Sequence, residues 1–275
     1  MELVKLVATR SRWSEATHVV FNVLFALALF LLVNPSVDLP YLAYIFVVLS
    51  KWRVIAVRPR FWFANFQANL VDFMVGISAV TLMLMTAISA PYVSFAIAVL
   101  FAIWLIVLKP HSAKRWVLLQ AGVAQFIALV ALFSYAHGFE LKPLVTDSSL
   151  LTVLLAWVVG YSAARHALSA FRDEDERTLL SIVWGFVVAE LAWLAHHWTI
   201  AYLIYRGTSV EGQLMLPQIA IIITLLGLAV IKWYEVFHHS QEKKEVIDAR
   251  NATIFSAIVI VFMLVFANGW DITAL

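Results

Sequence analysis

Long apolar runs recur along the whole chain and are separated only by short polar stretches. Several runs approach about 20 residues, the helix length that crosses a hydrocarbon core of about 30 Å. They are continuous rather than alternating between apolar and polar residues, which favours helices over outer-membrane strands. With 63% hydrophobic and only 13% charged residues, the chain is far more apolar than soluble domains are. The sequence therefore predicts an all-α, polytopic transmembrane helical bundle.

Nine spans are predicted from these runs, and the loops between them are too short to hold a soluble domain. The whole chain, residues 1–275, is therefore expected to form a single integral membrane domain surrounded by the lipid bilayer. The predicted spans cover residues 17–33, 39–57, 63–89, 91–109, 114–136, 149–170, 178–205, 214–237 and 252–268.

The distribution of positive charge predicts the orientation of these spans. If the N-terminus is cytoplasmic, all but two of the 19 lysines and arginines lie in or next to segments on the inner side. The exceptions are Lys142 and Arg206. The positive-inside rule requires such a bias of short loops. We therefore expect the N-terminus inside and the C-terminus outside, in a plasma membrane or a bacterial inner membrane.

A polar stripe marks the beginning of the third predicted span. Asn65, Asn69 and Asp72 are spaced so that they share one face of a helix. A tight hairpin joins this span to the second one, so Lys51 and Arg53 should lie at a similar depth and could pair with Asp72. The functional hypothesis is an anion or headgroup site on the inner leaflet, or a proton-accepting Asp72. The structural alternative is a hairpin clasp with cations that extend to the interface.

The seventh predicted span carries a carboxylate and two histidines within an apolar run. Glu190 lies about 18 Å from the start of this span, and an ionisable group at such a depth is a candidate functional site. Glu190, Trp193 and His197 share a face, so Glu190 and His197 could bind one water or ligand, whereas His196 points elsewhere. Burial would raise the pKa of Glu190, as a proton carrier requires. The alternatives are a neutral, hydrogen-bonded Glu190 and histidines near the outer interface.

Other polar signals are weaker. Gln120 and Gln125 in the fifth span are expected to form hydrogen bonds between helices. Cysteine is absent, and the chain has no Walker A motif, HExxH motif or G-x-S-x-G motif. No metal site, catalytic residue or cofactor is identified by these patterns, and no nucleic-acid partner is expected. The missing motifs favour a protein that is not an enzyme.

Three functions remain compatible with the sequence. The favoured one is a small-solute or proton-linked membrane binder or transporter that uses a buried Glu190. The second is a non-catalytic scaffold subunit that binds other membrane subunits. The third is a membrane-embedded enzyme that acts on a lipid-linked substrate at the face formed by Asn65, Asn69 and Asp72.

Overall fold

The computed structural model describes residues 12–37, 39–138, 148–171, 175–197, 201–205, 214–238 and 243–266. Across these ranges the chain is almost entirely helical. Its helices are α1 (Arg12–Leu32), α2 (Pro40–Leu49), α3 (Trp52–Ile55), α4 (Trp62–Ala68), α5 (Leu70–Ala87), α6 (Pro91–Ile103), α7 (Lys114–Gly138), α8 (Ser148–Leu168), α9 (Asp175–His197), α10 (Gln218–His238) and α11 (Lys243–Phe266). A 3₁₀ turn, Pro59–Phe61, precedes α4, and a π-helical turn, Trp104–Leu108, extends α6.

Within the described ranges, seven helical segments are long and apolar enough to cross a membrane. This confirms the prediction of a helical architecture with several segments that could cross a membrane. These segments are Leu70–Ala87, Pro91–Leu108, Lys114–Ala136, Ser149–Leu168, Glu176–His197, Gln218–Phe237 and Lys243–Val265, and they follow two shorter apolar helices, Ala16–Leu32 and Pro40–Leu49.

The helices are interrupted in the regions of the second and third predicted spans, 39–57 and 63–89. Helix α2 ends at Leu49, where the Ser50 hydroxyl donates a hydrogen bond to the Val47 carbonyl at 2.7 Å. At about 1.5 Å per residue, its 10 residues rise only about 15 Å, half of a bilayer core. The third predicted span is interrupted at Asn69, whose φ of −106° and ψ of 4° separate α4 from α5.

In the regions of the seventh, eighth and ninth predicted spans, 178–205, 214–237 and 252–268, the helices begin or end at other residues. Helix α9 ends at His197, and the following β1 (Ala201–Tyr205) pairs antiparallel with β2 (Leu214–Pro217). The apolar run continues through β1, but its aromatic and β-branched residues suit a strand. Helix α11 begins at Lys243, well before the ninth apolar run, so its first turns consist mainly of polar residues.

Two hydrophobic clusters form the core. The first joins α1, α2, α5, α6 and the π-helical turn with one residue of α7, and the second joins α5 with α7, α8, α9 and α10. Gln125 links α7 to the second cluster: its side-chain oxygen accepts a hydrogen bond from Trp184 at 2.9 Å, and its amide nitrogen donates to the Ile223 carbonyl at 3.5 Å. The prediction that Gln125 connects helices is confirmed.

Helices α8 and α9 approach each other closely at two glycines. A Cβ atom on Gly160 would lie 2.7 Å from Val188, and one on Gly185 would lie 3.0 Å from Nε1 of Trp157. Small residues permit such approach between membrane helices. The two helices therefore form a tightly packed pair.

Candidate functional site

Two lysines from different helical hairpins converge on one carboxylate. Lys51 Nζ lies 2.6 Å from Asp72 Oδ2, and Lys109 Nζ lies 2.9 Å from the same oxygen. The side chains of Lys51 and Asp72 are 13% and 18% exposed, and that of Lys109 is 35% exposed. The predicted pairing of Lys51 with Asp72 is therefore present, and Lys109 is a second cation that the sequence did not indicate.

The break at Asn69 places Asp72 in the first turn of α5. Backbone N–H groups at a helix start are partly unpaired and carry a positive partial charge, which favours a carboxylate there. Asn69 directly follows α4, and its side chain donates a hydrogen bond to the carbonyl of Asn65 in that helix at 2.8 Å. Asn69 thus stabilises the interruption that sets the position of Asp72.

Gly76 brings α2 against α5 one turn below the ion pair. A Cβ atom at Gly76 would lie only 2.7 Å from Cγ1 of Val47. Val47 precedes Lys51 by one helical turn, and Gly76 follows Asp72 by one turn. The close backbone approach therefore aligns Lys51 with Asp72.

The π-helical turn after α6 presents Lys109. The Lys109 N–H donates to the Trp104 carbonyl at 2.9 Å, five residues back rather than four. Gln120 holds the end of this turn by donating to the carbonyls of Leu108 at 2.5 Å and His111 at 2.9 Å. Its side-chain oxygen lies 2.9 Å from Nε2 of His166 on α8. The predicted role of Gln120 between helices is confirmed, and it supports the segment that carries Lys109.

A cavity of about 570 Å³ opens beside the two lysines. We call it the lysine cavity. Its polar lining residues are His18, Ser50, Lys51, Asn65, Asn69 and Lys109. His18 belongs to α1, where its ring lies 3.2 Å from the Asn22 side-chain nitrogen. The cavity is therefore built from four separate parts of the chain, and His18, like Lys109, was missed by the sequence pattern because its contact with the site is tertiary.

The chemistry of the lysine cavity is that of an anion receptor. Two ammonium groups face one carboxylate, and neither has another acceptor within the described ranges. Lys51 follows the end of α2 and lies outside the membrane-spanning helices, and burial lowers the pKa of its ammonium group to about 8 although Asp72 acts in the opposite direction. Each ammonium group retains N–H groups that could donate hydrogen bonds to an anionic ligand.

The remaining candidates of the polar stripe have different outcomes. Asn65 and Asn69 line the lysine cavity, so the structure brings them together with Lys51 and Lys109. The side chain of Arg53 lies outside the described residues.

Glu190 is not buried, which corrects the prediction of a buried carboxylate on the seventh span. It is exposed on the outer surface of the α8–α9 pair. No ion pair or hydrogen bond to Glu190 is present among the residues that the structure covers. His197 is also exposed, and its ring packs edge-on against Trp193 with centroids 5.0 Å apart. The apolar sequence of α9 misled the prediction because a surface that faces lipid is as apolar as a core.

A second lysine-bridged carboxylate provides a comparison within the molecule. Glu235 on α10 lies 2.6 Å from Lys114 Nζ and 3.1 Å from Lys232 Nζ. Lys232 is on the same helix, three residues away, so this cluster needs only one tertiary contact. In the described parts of the chain, no three His, Cys, Asp or Glu side chains are grouped so that they could hold a metal ion.

Comparison of the chain with models of protein families, with curated proteins and with solved structures finds no match.

Proposed function

We propose that this chain is a polytopic integral membrane protein that binds a phosphate-class anion in the lysine cavity, from either a lipid headgroup or a soluble molecule. The main support is the excess of cations: Lys51 and Lys109 contact a single oxygen of Asp72, at 2.6 and 2.9 Å. Two ammonium groups and one carboxylate leave a net charge of about +1 at a partly buried wall.

The same geometry gives an anion an energetic advantage. The two ammonium groups repel each other because both lie within hydrogen-bonding distance of one oxygen. An anion with several oxygens could accept from both groups and reduce this repulsion. Charge-assisted hydrogen bonds of this kind are about twice as strong as neutral ones.

The surroundings of the cavity support attraction of anions. Val57 lines the cavity and is followed by Arg58 and Arg60, both exposed. Arg60 lies over the ring of Phe61, with 4.6 Å to the centroid. Exposed cations next to a cleft raise the local concentration of an anionic ligand.

We further propose that the N-terminus lies inside and the C-terminus outside, with the lysine cavity on the inner side. The contacts of Lys51 and Lys109 with Asp72, and of Lys114 with Glu235, join segments that the charge bias assigns to the inner side. Helices α1 and α2 would form a first hairpin that returns to this side. Because this hairpin begins and ends on the inner side, the orientation of the seven longer segments is the same whether or not α1 and α2 cross the whole membrane.

Transport through a buried Glu190 is not part of this proposal, because Glu190 is exposed. The hypothesis of an enzyme for a lipid-linked substrate shares its binding step with the present proposal. Asn65 and Asn69, which line the cavity, would then contribute to the recognition of the anionic group, and Asp72 would hold the two lysines in place.

The direct test is equilibrium binding to purified protein in nanodiscs made of zwitterionic lipid. The probe is inorganic pyrophosphate, and the variant is Lys109→Gln, which keeps Lys51 and Asp72. We expect binding to weaken at least tenfold, because one charge-assisted contact is worth about 1.5–3 kcal/mol. Lys232→Gln is the matched control, since it removes one lysine from the similar cluster around Glu235.

The source of the anion is distinguished by repeating the measurement with phosphatidylglycerol in the nanodisc. If this lipid competes with pyrophosphate and is itself retained less by Lys109→Gln, the natural ligand is a headgroup. If pyrophosphate binds unaffected by the lipid, the ligand is soluble. The proposal would be overturned if wild type, Lys109→Gln and Lys232→Gln all bind neither probe. It would also be overturned if all three proteins bind both probes equally well.

A further inference from the structure

A groove on the outer surface of α8 and α9 combines one carboxylate with aromatic side chains. Its volume is about 650 Å³, and its lining includes Leu154, Trp157, Phe186, Glu190 and Trp193. We call it the α8–α9 groove. We propose that it binds a lipophilic organic cation that enters from the membrane.

Charge is the first argument for a cationic ligand. Glu190 is the one charged residue in the lining of this groove, and nothing in the described chain pairs with it. A carboxylate exposed to hydrocarbon is costly, so such residues normally have a partner. A bound cation would provide this partner.

Depth decides where the cation must come from. Glu190 lies two helical turns before the end of α9 at His197, about 10 Å along the axis. Because α9 is long enough to cross the hydrocarbon core, this position is below the level of lipid headgroups. An ammonium group that reaches it must belong to a molecule that dissolves in the membrane, which excludes a headgroup at its ordinary depth.

The aromatic rings provide the second argument. Trp193 is 51% exposed and Phe186 is 60% exposed. Trp157 contacts Phe186 edge to face, with ring centroids 6.1 Å apart. Aromatic faces attract organic cations, and aromatic cages are a common means of recognising quaternary ammonium groups.

The shape of the groove favours a small molecule over a partner helix. Its volume lies within the range of about 300–1,000 Å³ that is typical of small-molecule pockets. The concavity arises because Trp157 rests against Gly185, where a Cβ atom would be 3.0 Å from its Nε1. The apolar lining would contact the hydrocarbon part of the ligand.

The test compares two ions of nearly equal size and opposite charge, tetraphenylphosphonium and tetraphenylborate, by equilibrium binding to the full chain in nanodiscs. We expect saturable binding of tetraphenylphosphonium alone. Glu190→Gln should weaken it at least tenfold, and Trp193→Leu about three- to thirty-fold. Asp248→Asn, at an exposed site on α11, is the control for loss of a negative charge and should bind as wild type does.

A second measurement needs no variant. Labelling of Glu190 by a hydrophobic carbodiimide, read by peptide mass spectrometry, should decrease as tetraphenylphosphonium is added to wild type. Equal binding of the two ions, unchanged binding to Glu190→Gln, or labelling that tetraphenylphosphonium does not reduce would overturn the proposal. Crosslinking of Glu190 to another polypeptide without tetraphenylphosphonium binding would overturn it in favour of a partner helix. The pyrophosphate measurements on Lys109→Gln are independent of all these results.

Discussion

Asp72 and Glu190 are both single carboxylates on long apolar helices, yet their surroundings are opposite. Asp72 begins its helix, is mostly buried and is held by two lysines. Glu190 lies within its helix, is exposed and has no partner in the described residues. The difference shows that the sequence position of a charge in an apolar helix does not decide whether the charge is satisfied inside the chain. Neighbouring helices decide it.

The largest expected difference between the two carboxylates is in stability. Asp72→Ala leaves two partly buried ammonium groups without their counter-ion, and we expect the free energy of unfolding to fall by about 3 kcal/mol. Glu190→Ala removes an exposed side chain with no partner, so we expect a change within about 0.5 kcal/mol. Unfolding in mixed micelles measures both. Equal effects of the two substitutions would remove the distinction between these carboxylates.

An intermediate effect is expected where α2 meets α5. Gly76→Ala would place a Cβ atom 2.7 Å from Val47, and we expect a loss of about 1–3 kcal/mol as the helices separate. Gly122→Ala is the matched control, because nothing lies within 4 Å of its added Cβ. It should be neutral or stabilise by up to about 1 kcal/mol.

The same pair of glycine variants also tests the link to the site. Pyrophosphate binding should weaken in Gly76→Ala, because Lys51 would move away from Lys109 and the two could no longer bind one anion, and should be unchanged in Gly122→Ala. The adjacent substitution Val47→Ala should restore part of the loss by making room for the new methyl group. If it restores nothing, the close approach at Gly76 is not what aligns the site.

The smallest expected effect is a pH dependence of anion binding. The pKa of Lys51 is lowered to about 8, so this group loses its proton as the pH rises through that value. Pyrophosphate gains negative charge itself over this range, so the fall in affinity from pH 7 to pH 9 is expected to be about tenfold relative to a protein with a fixed charge at position 51. Lys51→Arg keeps its charge throughout this range and should show a much flatter profile. Identical profiles for the two proteins would show that Lys51 does not control binding.

Part of this architecture follows from local sequence. Apolar runs predict the long helices, and the hairpin spacing predicts that Lys51 lies near Asp72. Gln120 and Gln125 stand out as amides in an apolar run, and both form hydrogen bonds to other helices. In each case the signal is the position of a polar group relative to a continuous apolar pattern.

Other features depend on tertiary packing. Lys109 reaches Asp72 only because a π-helical turn precedes it and α6 packs on α5. The break at Asn69 has a weak local signal, since Asn is favoured at the start of a helix. The exposure of Glu190 has no such signal, because α9 carries apolar residues on every face, and both lipid and a protein core favour apolar residues.

The most direct test of the lysine cavity as an anion site is the dissociation constant of pyrophosphate for Asp72→Asn in zwitterionic nanodiscs. This substitution removes the only carboxylate that contacts Lys51 and Lys109 among the described residues. We predict that Asp72→Asn binds pyrophosphate more tightly than wild type, by about tenfold, while Lys109→Gln binds it more weakly. Weaker or unchanged binding by folded Asp72→Asn would contradict the proposal, because the lysines would then serve only to hold the carboxylate.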